Sequence, residues 1–219
     1  MSIAELGMLV NSNFNKPLNE QARELAYAGS YLFEDSTTFT PDKSGWYKVI
    51  VVGKGGDGSI YEYSSPNYYS ASGGSGAVAI KTMYLSSDKH YAVEVSNVQS
   101  GFDSTIIAKA GTDGETGRNL YNRGTGGTAS GGDLNYNGID GDSNTNAPSY
   151  SRDVGVHIPE LMEKTRIVNT YISGPSYQYY ELYTGYGILE HGASGGTNNY
   201  GAISGQKGCV LIIPLEFEE

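Results

Sequence analysis

The chain has 219 residues, which fits one domain or one domain with an appendage, and 38% of them are hydrophobic. A formal charge of −10 and a pI near 4.7 argue against a nucleic-acid partner, because affinity for phosphates comes largely from Lys and Arg. The single cysteine, Cys209, excludes a disulfide framework and reads as a buried core residue. No apolar stretch approaches the roughly 18 residues that span a bilayer, so we expect no membrane insertion.

Glycine and tyrosine are over-represented in this sequence. The 31 glycines are roughly twice the ordinary share of about 7%, yet they lack the strict third-residue repeat of collagen. The 19 tyrosines greatly exceed the five phenylalanines and the single tryptophan. Most of the aromatic surface therefore carries a hydroxyl group that suits a hydrated interface.

The first predicted element is a helix over residues 17–28. Asn15 precedes it as a cap, Pro17 lies in its first turn, and apolar residues follow at helical spacing, namely Leu18, Ala22, Leu25 and Ala26. Few of these side chains are bulky, so the helix packs either against a partner chain or on its own domain. We interpret residues 1–36 as a segment for attachment or oligomerisation.

From residue 37 onward the pattern is typical of β-structure. Trp46 to Val52, an aromatic and β-branched run after a turn, is the clearest predicted strand. Further strands are predicted at Gly76–Leu85, His90–Val95, Thr105–Lys109 and Cys209–Leu215. Residues 37–219 therefore form a predicted all-β domain, a small β-sandwich, with a Tyr-rich insertion at about 147–190.

Glycine-studded stretches separate these strands at Gly53–Gly58, Gly73–Gly76, Gly111–Gly117, Gly124–Gly141 and Gly192–Gly208. They alternate Gly with Thr, Asn, Asp and Ala, whereas flexible linkers are typically Gly/Ser repeats. We predict extended polyglycine or polyproline-II-like layers, packed through close backbones that only glycine allows. Long surface loops are the alternative.

Two motifs in these stretches resemble ligand sites. Gly53-x-Gly55-x-x-Gly58 has the spacing of a dinucleotide fingerprint, but the residues after it do not read as an apolar helix. Asp133-x-Asn135-x-Asn137 matches half of a calcium loop, and the position of the bidentate glutamate is Asn144. Side chains that satisfy turns are the preferred interpretation, and we predict no cofactor. Calcium held by these three residues, with Asp140 or Asp142, is the alternative.

Catalysis is not predicted from the sequence. The histidines, His90, His157 and His191, lie in separate segments without a Gly-x-Ser-x-Gly elbow. A carboxylate pair for glycan cleavage stays an alternative, because such pairs meet in space rather than in sequence. We predict a protein that is not an enzyme.

The tyrosines form two groups that we predict to bind a ligand. Tyr, Ser, Gly and Asn together make up adaptable binding loops, in which rigid rings are combined with hydrogen-bonding groups. Tyrosines that alternate along strands or fill subunit contacts are the alternative. The predicted ligand-binding residues are Tyr61, Tyr63, Tyr68 and Tyr69, and then Tyr177, Tyr179, Tyr180 and Tyr183.

Phe39 to Gly58, with its turn, its Trp-Tyr-Lys-Val-Ile-Val-Val strand and its Gly-Lys-Gly-Gly-Asp-Gly run, resembles the opening of the glycine-rich domain of bacteriophage tail fibre and tail-tip proteins. Later pieces follow in the expected order, namely Gly73–Gly76, Tyr91–Val95, Thr105–Ala108, Gly126–Asp133, Asn137–Gly141 and Gly208–Ile213. The resemblance covers about residues 37–215 without the insertion. Family members often have longer pure-glycine runs.

This resemblance implies a small β-sandwich with ordered glycine-rich layers, at or near the distal end of a tail. It implies a receptor-binding protein of a phage or phage-tail-like particle, in the virion tail and extracellular after host lysis. The expected partners are a bacterial cell-surface polysaccharide and other tail or baseplate proteins, and tail fibres imply a homotrimer. A structural baseplate or fibre assembly protein without glycan binding is the alternative.

Overall fold

A computed structural model describes residues 29–64, 67–118, 120–144, 165–167, 182–184, 191–192, 194–195, 197–198 and 201–217. These residues form strands and connecting segments and include no helix, which confirms the predicted all-β class. They accordingly contain no helix long and apolar enough to cross a membrane. The helix predicted over residues 17–28 lies outside the described residues, and the boundary at residue 36 stays a prediction.

The strands in chain order are β1 (Tyr31–Phe33), β2 (Thr37–Phe39), β3 (Gly45–Val52), β4 (Ser59–Ser64), β5 (Asn67–Ala71), β6 (Val78–Leu85), β7 (Tyr91–Val95), β8 (Gln99–Phe102), β9 (Ile106–Lys109), β10 (Glu115–Gly117), β11 (Leu120–Asn122), β12 (Ala129–Ser130), β13 (Leu134–Tyr136), β14 (Ser143–Asn144), β15 (Thr165–Ile167), β16 (Leu182–Thr184), β17 (Thr197–Asn198), β18 (Gly201–Ala202) and β19 (Cys209–Phe217). The predicted strands are confirmed as β3, β6, β7, β9 and β19. Strand β6 starts two residues later than Gly76, because Gly76 and Ala77 belong to a glycine-rich segment.

Two antiparallel five-stranded sheets form a β-sandwich. The first has the order β1-β19-β3-β6-β13, and the second has the order β12-β9-β8-β7-β2. The last strand, β19, pairs with β1 along Tyr31↔Ile212 and with β3 along Ile50↔Leu211. The end of the chain therefore closes the first sheet between two strands from its beginning.

The alternation of side chains along β3 explains how the first sheet is buried. Tyr47, Val49 and Val51 point to the second sheet and join Phe102 and Ile106 in the main core. Ile50 and Val52, on the other face of β3, belong to a second buried cluster, which comprises Ile50, Val52, Val78, Ile80, Cys209 and Leu211. The prediction that Cys209 is buried is confirmed. Because the middle of the sheet is buried on both faces, its strands read as nearly continuous hydrophobic runs.

The glycine-rich stretches extend from the ends of the sandwich strands and pack side by side. They comprise residues 53–58, 72–77, 110–114, 123–128, 137–142, 191–192 with 194–195, and 203–208, and we call them the glycine layer. Residues 72–77, the central segment, exchange hydrogen bonds with most of the other segments. The glycine-rich stretches are therefore ordered layers, as the sequence predicted, and not surface loops.

The central segment donates its hydrogen bonds with a period of three residues. The N–H groups of Ser72 and Ser75 donate to Asp142 (2.8 Å) and Ile139 (2.9 Å). Those of Gly73 and Gly76 donate to Gly195 (3.0 Å) and Gly192 (2.8 Å), and those of Gly74 and Ala77 donate to Thr112 (2.9 Å) and Lys109 (3.1 Å). Three residues per turn is the repeat of a polyproline-II helix, so the N–H groups on each face of the segment donate to one neighbour.

Glycine is required in this layer because the backbones approach too closely for a Cβ atom. A Cβ on Gly74 would overlap the Thr125 carbonyl, and one on Gly111 would overlap the Gly74 carbonyl. Neither obstacle is a flexible side chain, so neither is easily displaced. The requirement at these two positions is close packing rather than a left-handed backbone.

We predict that Gly74→Ala lowers the free energy of unfolding by about 3 kcal/mol, because a methyl group forced against backbone costs at least as much as core overpacking. Gly117→Ala is the matched control, since the nearest atom to its Cβ is the Leu120 Cβ at 3.6 Å, an ordinary contact. Urea denaturation of both variants measures the difference. Equal stability of the two variants would contradict the close-packing explanation.

Candidate functional site

The topology brings several short β-structures together at the end of the glycine layer far from the sandwich. Hairpin β4–β5 connects residues 53–58 to 72–77, and hairpin β10–β11 connects residues 110–114 to 123–128. Strand β14 follows residues 137–142, and hairpin β17–β18 precedes residues 203–208. We call these strands, with Arg118, the distal layer. Each is attached to glycine segments whose positions are fixed by backbone hydrogen bonds.

Specific contacts join the two longer hairpins of the distal layer. In hairpin β4–β5, Tyr61 lies directly opposite Tyr69. The Ser59 hydroxyl shares a hydrogen bond with the Thr116 hydroxyl (2.7 Å), and the ring of Tyr69 stacks on that of Tyr121 with centroids 5.4 Å apart and planes at 25°. Because Thr116 lies opposite Tyr121, one face of hairpin β10–β11 packs against the face of β4–β5 that carries the tyrosines.

The structure brings part of the first predicted tyrosine group onto one surface. Tyr61 is 37% exposed and Tyr69 is half-buried. Tyr63 and Tyr68 belong to β4 and β5, but their side chains lie outside the described residues. These four residues form a hairpin rather than the predicted loop, because Tyr and Ile favour extended backbone at alternating positions.

The second predicted tyrosine group lies mostly outside the described residues. Tyr183 belongs to β16, and its backbone pairs with Arg166 of β15. Tyr177, Tyr179 and Tyr180 are not among the described residues. The role of this group in ligand binding stays a prediction.

Two exposed residues of hairpin β10–β11 were missed from the sequence. Leu120 is 41% exposed and Tyr121 is 43% exposed, both on β11, and only Tyr121 is on the face that contacts β4–β5. The available signal was the presence of Gly117 and Asn119, residue types that are typical of a turn between two short strands. Tyr121 was overlooked because it is a lone tyrosine, and only the packed glycine layer brings it to Tyr69.

An ion pair between Lys54 and Asp57 stabilises the base of the distal layer. One carboxylate oxygen of Asp57 accepts hydrogen bonds from the Lys54 ammonium (2.9 Å) and the Gly205 N–H (2.8 Å). The Asp57 N–H donates to the Asp113 carboxylate (2.7 Å). Burial raises the pKa of Asp57, but the hydrogen bonds from Lys54 and Gly205 and the Lys54 charge outweigh it and hold the pKa below its ordinary value.

The residues of the calcium-like motif bind backbone groups. Asp133 accepts a hydrogen bond from the Thr82 N–H (2.9 Å), and Asn135 accepts one from the Gly132 N–H (3.0 Å). Asn137 accepts from the Ala129 N–H (3.2 Å). Of these three contacts, that of Asn135 is the local turn contact of the preferred interpretation, and the other two bind residues of β6 and β12. Within the described part of the chain, no group of three or more His, Cys, Asp or Glu side chains is arranged to hold a metal ion.

The side chains of the distal layer suit adaptable recognition. Tyrosine rings stack on the apolar faces of ligands, and nearby hydroxyl and amide groups supply hydrogen bonds. Comparisons with known proteins add no assignment. No protein-family model matches the chain, and no curated protein matches it significantly. The chemistry of the distal layer is therefore the basis for the functional proposal.

We predict that Asp57→Asn lowers the melting temperature at pH 7 and has progressively less effect as the pH falls below 3.8, the ordinary pKa of Asp57. A carboxyl group with a lowered pKa in the folded state stabilises the protein above its unfolded pKa, and protonation removes this contribution. Asp88→Asn is the control, since Asp88 is exposed and its carboxylate accepts no hydrogen bond among the described residues. Thermal unfolding at pH 7 and pH 3 tests this, and a pH-independent effect of Asp57→Asn would contradict it.

Proposed function

We propose that this protein is a receptor-binding protein of a phage or phage-tail-like particle, and that it recognises a bacterial surface glycan without catalysis. The observation that carries the proposal is the convergence of Tyr61, Tyr69 and Tyr121 on neighbouring hairpins of the distal layer. Tyr61 and Tyr121 are both exposed there, and the Ser59 and Thr116 hydroxyl groups meet where the two hairpins are in contact. Such a surface offers stacking faces and hydrogen bonds to a sugar chain.

The scaffold under this surface supports the same proposal. Both hairpins are anchored at each end in the glycine layer, where Gly56 donates to Gly74 (2.8 Å) and Thr112 donates to Thr125 (2.9 Å). An anchored loop loses less conformational freedom on binding than a free one, which favours affinity. A rigid scaffold that presents variable loops is a common arrangement in recognition proteins.

Weak individual sites are sufficient for such a protein on a tail. Several copies on one particle engage the same cell, and the second contact then occurs at a high effective concentration. The affinity of a single distal layer for its glycan need not be high. This makes a shallow, partly exposed tyrosine surface adequate for attachment.

We predict that Tyr61→Ala combined with Tyr121→Ala lowers the binding of protein-coated beads to a susceptible bacterium by about 30-fold, since two exposed aromatic contacts of about 1 kcal/mol each amount to about 2 kcal/mol. The control is Trp46→Ala with Tyr84→Ala, because these rings form an exposed aromatic pair at the start of β3 and the end of β6, with centroids 6.1 Å apart. Coupling all proteins to beads at equal density removes effects of oligomerisation. A folded Tyr61/Tyr121 variant that binds like the wild type would contradict the proposal.

A structural assembly role is the second candidate, and exposed apolar side chains on the sandwich favour it. The outer face of the first sheet carries Trp46, 48% exposed, and Tyr84, 40% exposed. Leucines exposed on other strands of this sheet are Leu32, Leu134 and Leu215. Exposed large apolar groups on a sheet are typical of a contact with another protein.

If assembly is the function, light scattering should detect an oligomer that Trp46→Ser with Tyr84→Ser disrupts, because polar groups replace the apolar contact. The Tyr61/Tyr121 variant should keep that oligomer, and beads coated with the wild type should bind no bacterium. Bead binding that depends on the tyrosines would instead favour the receptor-binding function. A monomeric wild-type protein would contradict a self-assembly role.

A further inference from the structure

The distal layer carries very few charges for a chain with a formal charge of −10. Its described residues include only three charged ones, namely Glu62, Glu115 and Arg118. Arg118 is the only cation of the three, and it is exposed in the turn that closes hairpin β10–β11. The turn of this hairpin is thus a positive position on an acidic protein.

The cations at the base of the distal layer are neutralised by acidic side chains of the same chain. Lys54 lies 2.9 Å from Asp57, and Arg123 lies 3.6 Å from Asp140. No described carboxylate forms an ion pair with Arg118. Its guanidinium group is therefore available to an external anion, whereas Lys54 and Arg123 are already paired.

In hairpin β10–β11, the acidic residue Glu115 and the tyrosine surface are on opposite faces. Thr116 and Tyr121 are on the face that contacts β4–β5, as their bonds to Ser59 and Tyr69 show. Glu115 is next to Thr116 on the strand, and successive side chains in a strand point to opposite faces. Its carboxylate is therefore on the face turned away from the tyrosines. An anion bound beside the tyrosine rings does not meet this charge directly.

We propose that the distal layer binds an acidic glycan, with a sugar ring against Tyr61 and Tyr121 and a carboxylate or phosphate group on Arg118. This inference rests on the proposed function and names its ligand class. The planar guanidinium forms two parallel hydrogen bonds with either anion, which an ammonium group does not match. The aromatic contact supplies affinity, and the arginine selects charged chains over neutral ones.

The test is a glycan array in which each oligosaccharide with a uronic acid or a phosphate is printed beside its neutral counterpart. We expect the wild type to bind the charged member of the best pair at least tenfold more tightly. Arg118→Gln should lower that affinity to the value for the neutral member, and Arg118→Lys should restore it only in part. Arg123→Gln, the matched control, should bind like the wild type because Arg123 is already paired with Asp140.

The outcomes separate the acidic ligand from the receptor-binding function itself. Selectivity confined to uronic-acid pairs or to phosphate pairs identifies which anion Arg118 binds. Equal binding to charged and neutral members, or a folded Arg118→Gln variant with unchanged selectivity, would overturn the acidic ligand. Tyrosine-dependent binding to bacteria would then still support the receptor-binding function. Absence of binding to any bacterium or glycan, even on beads, would overturn both.

Discussion

The structure depends on hydrogen bonds from buried backbone that belongs to no sheet. Residues 72–77 are fully buried, and each of their N–H groups needs a partner, since an unpaired buried donor costs about 1–3 kcal/mol. A polyproline-II segment directs successive N–H groups to three sides and therefore needs neighbours on all of them. The neighbours come close enough only because glycine lacks a Cβ atom. The burial of this segment requires hydrogen-bonding partners on every side, and those partners require glycine, so the three properties form a single constraint.

This constraint links parts of the chain that are distant in sequence. Ser72 binds Asp142, and Gly73 binds Gly195, so the surroundings of the central segment are complete only when much later residues are in place. Strand β19 then joins β1 and β3 in the first sheet. Contacts of such long range are expected to make folding slow, because the loops must close before the contacts form.

The same arrangement allows the distal hairpins to differ from their scaffold in composition. The glycine layer requires small residues and regular backbone, whereas the hairpins carry tyrosines, Leu120 and Arg118 at exposed positions. The two hairpins are held by the Ser59–Thr116 hydrogen bond and the Tyr69–Tyr121 stack. Substitutions at exposed positions of the hairpins therefore leave the layer beneath them largely unaffected. The recognition surface that we propose can therefore change its specificity while the fold is kept.

The sequence alone was enough to predict the all-β class, the main sandwich strands and the ordered glycine segments, because aromatic and β-branched runs and a mixed Gly, Thr and Asn composition are local properties. It also identified Tyr61 and Tyr69 as candidates through their clustering. Only the tertiary structure brought Tyr121 to Tyr69. It also placed Arg118 in an exposed turn where none of the described carboxylates forms an ion pair with it. Those contacts depend on which glycine segments lie side by side, and that order is set by backbone hydrogen bonds that leave no periodic signal in the side chains.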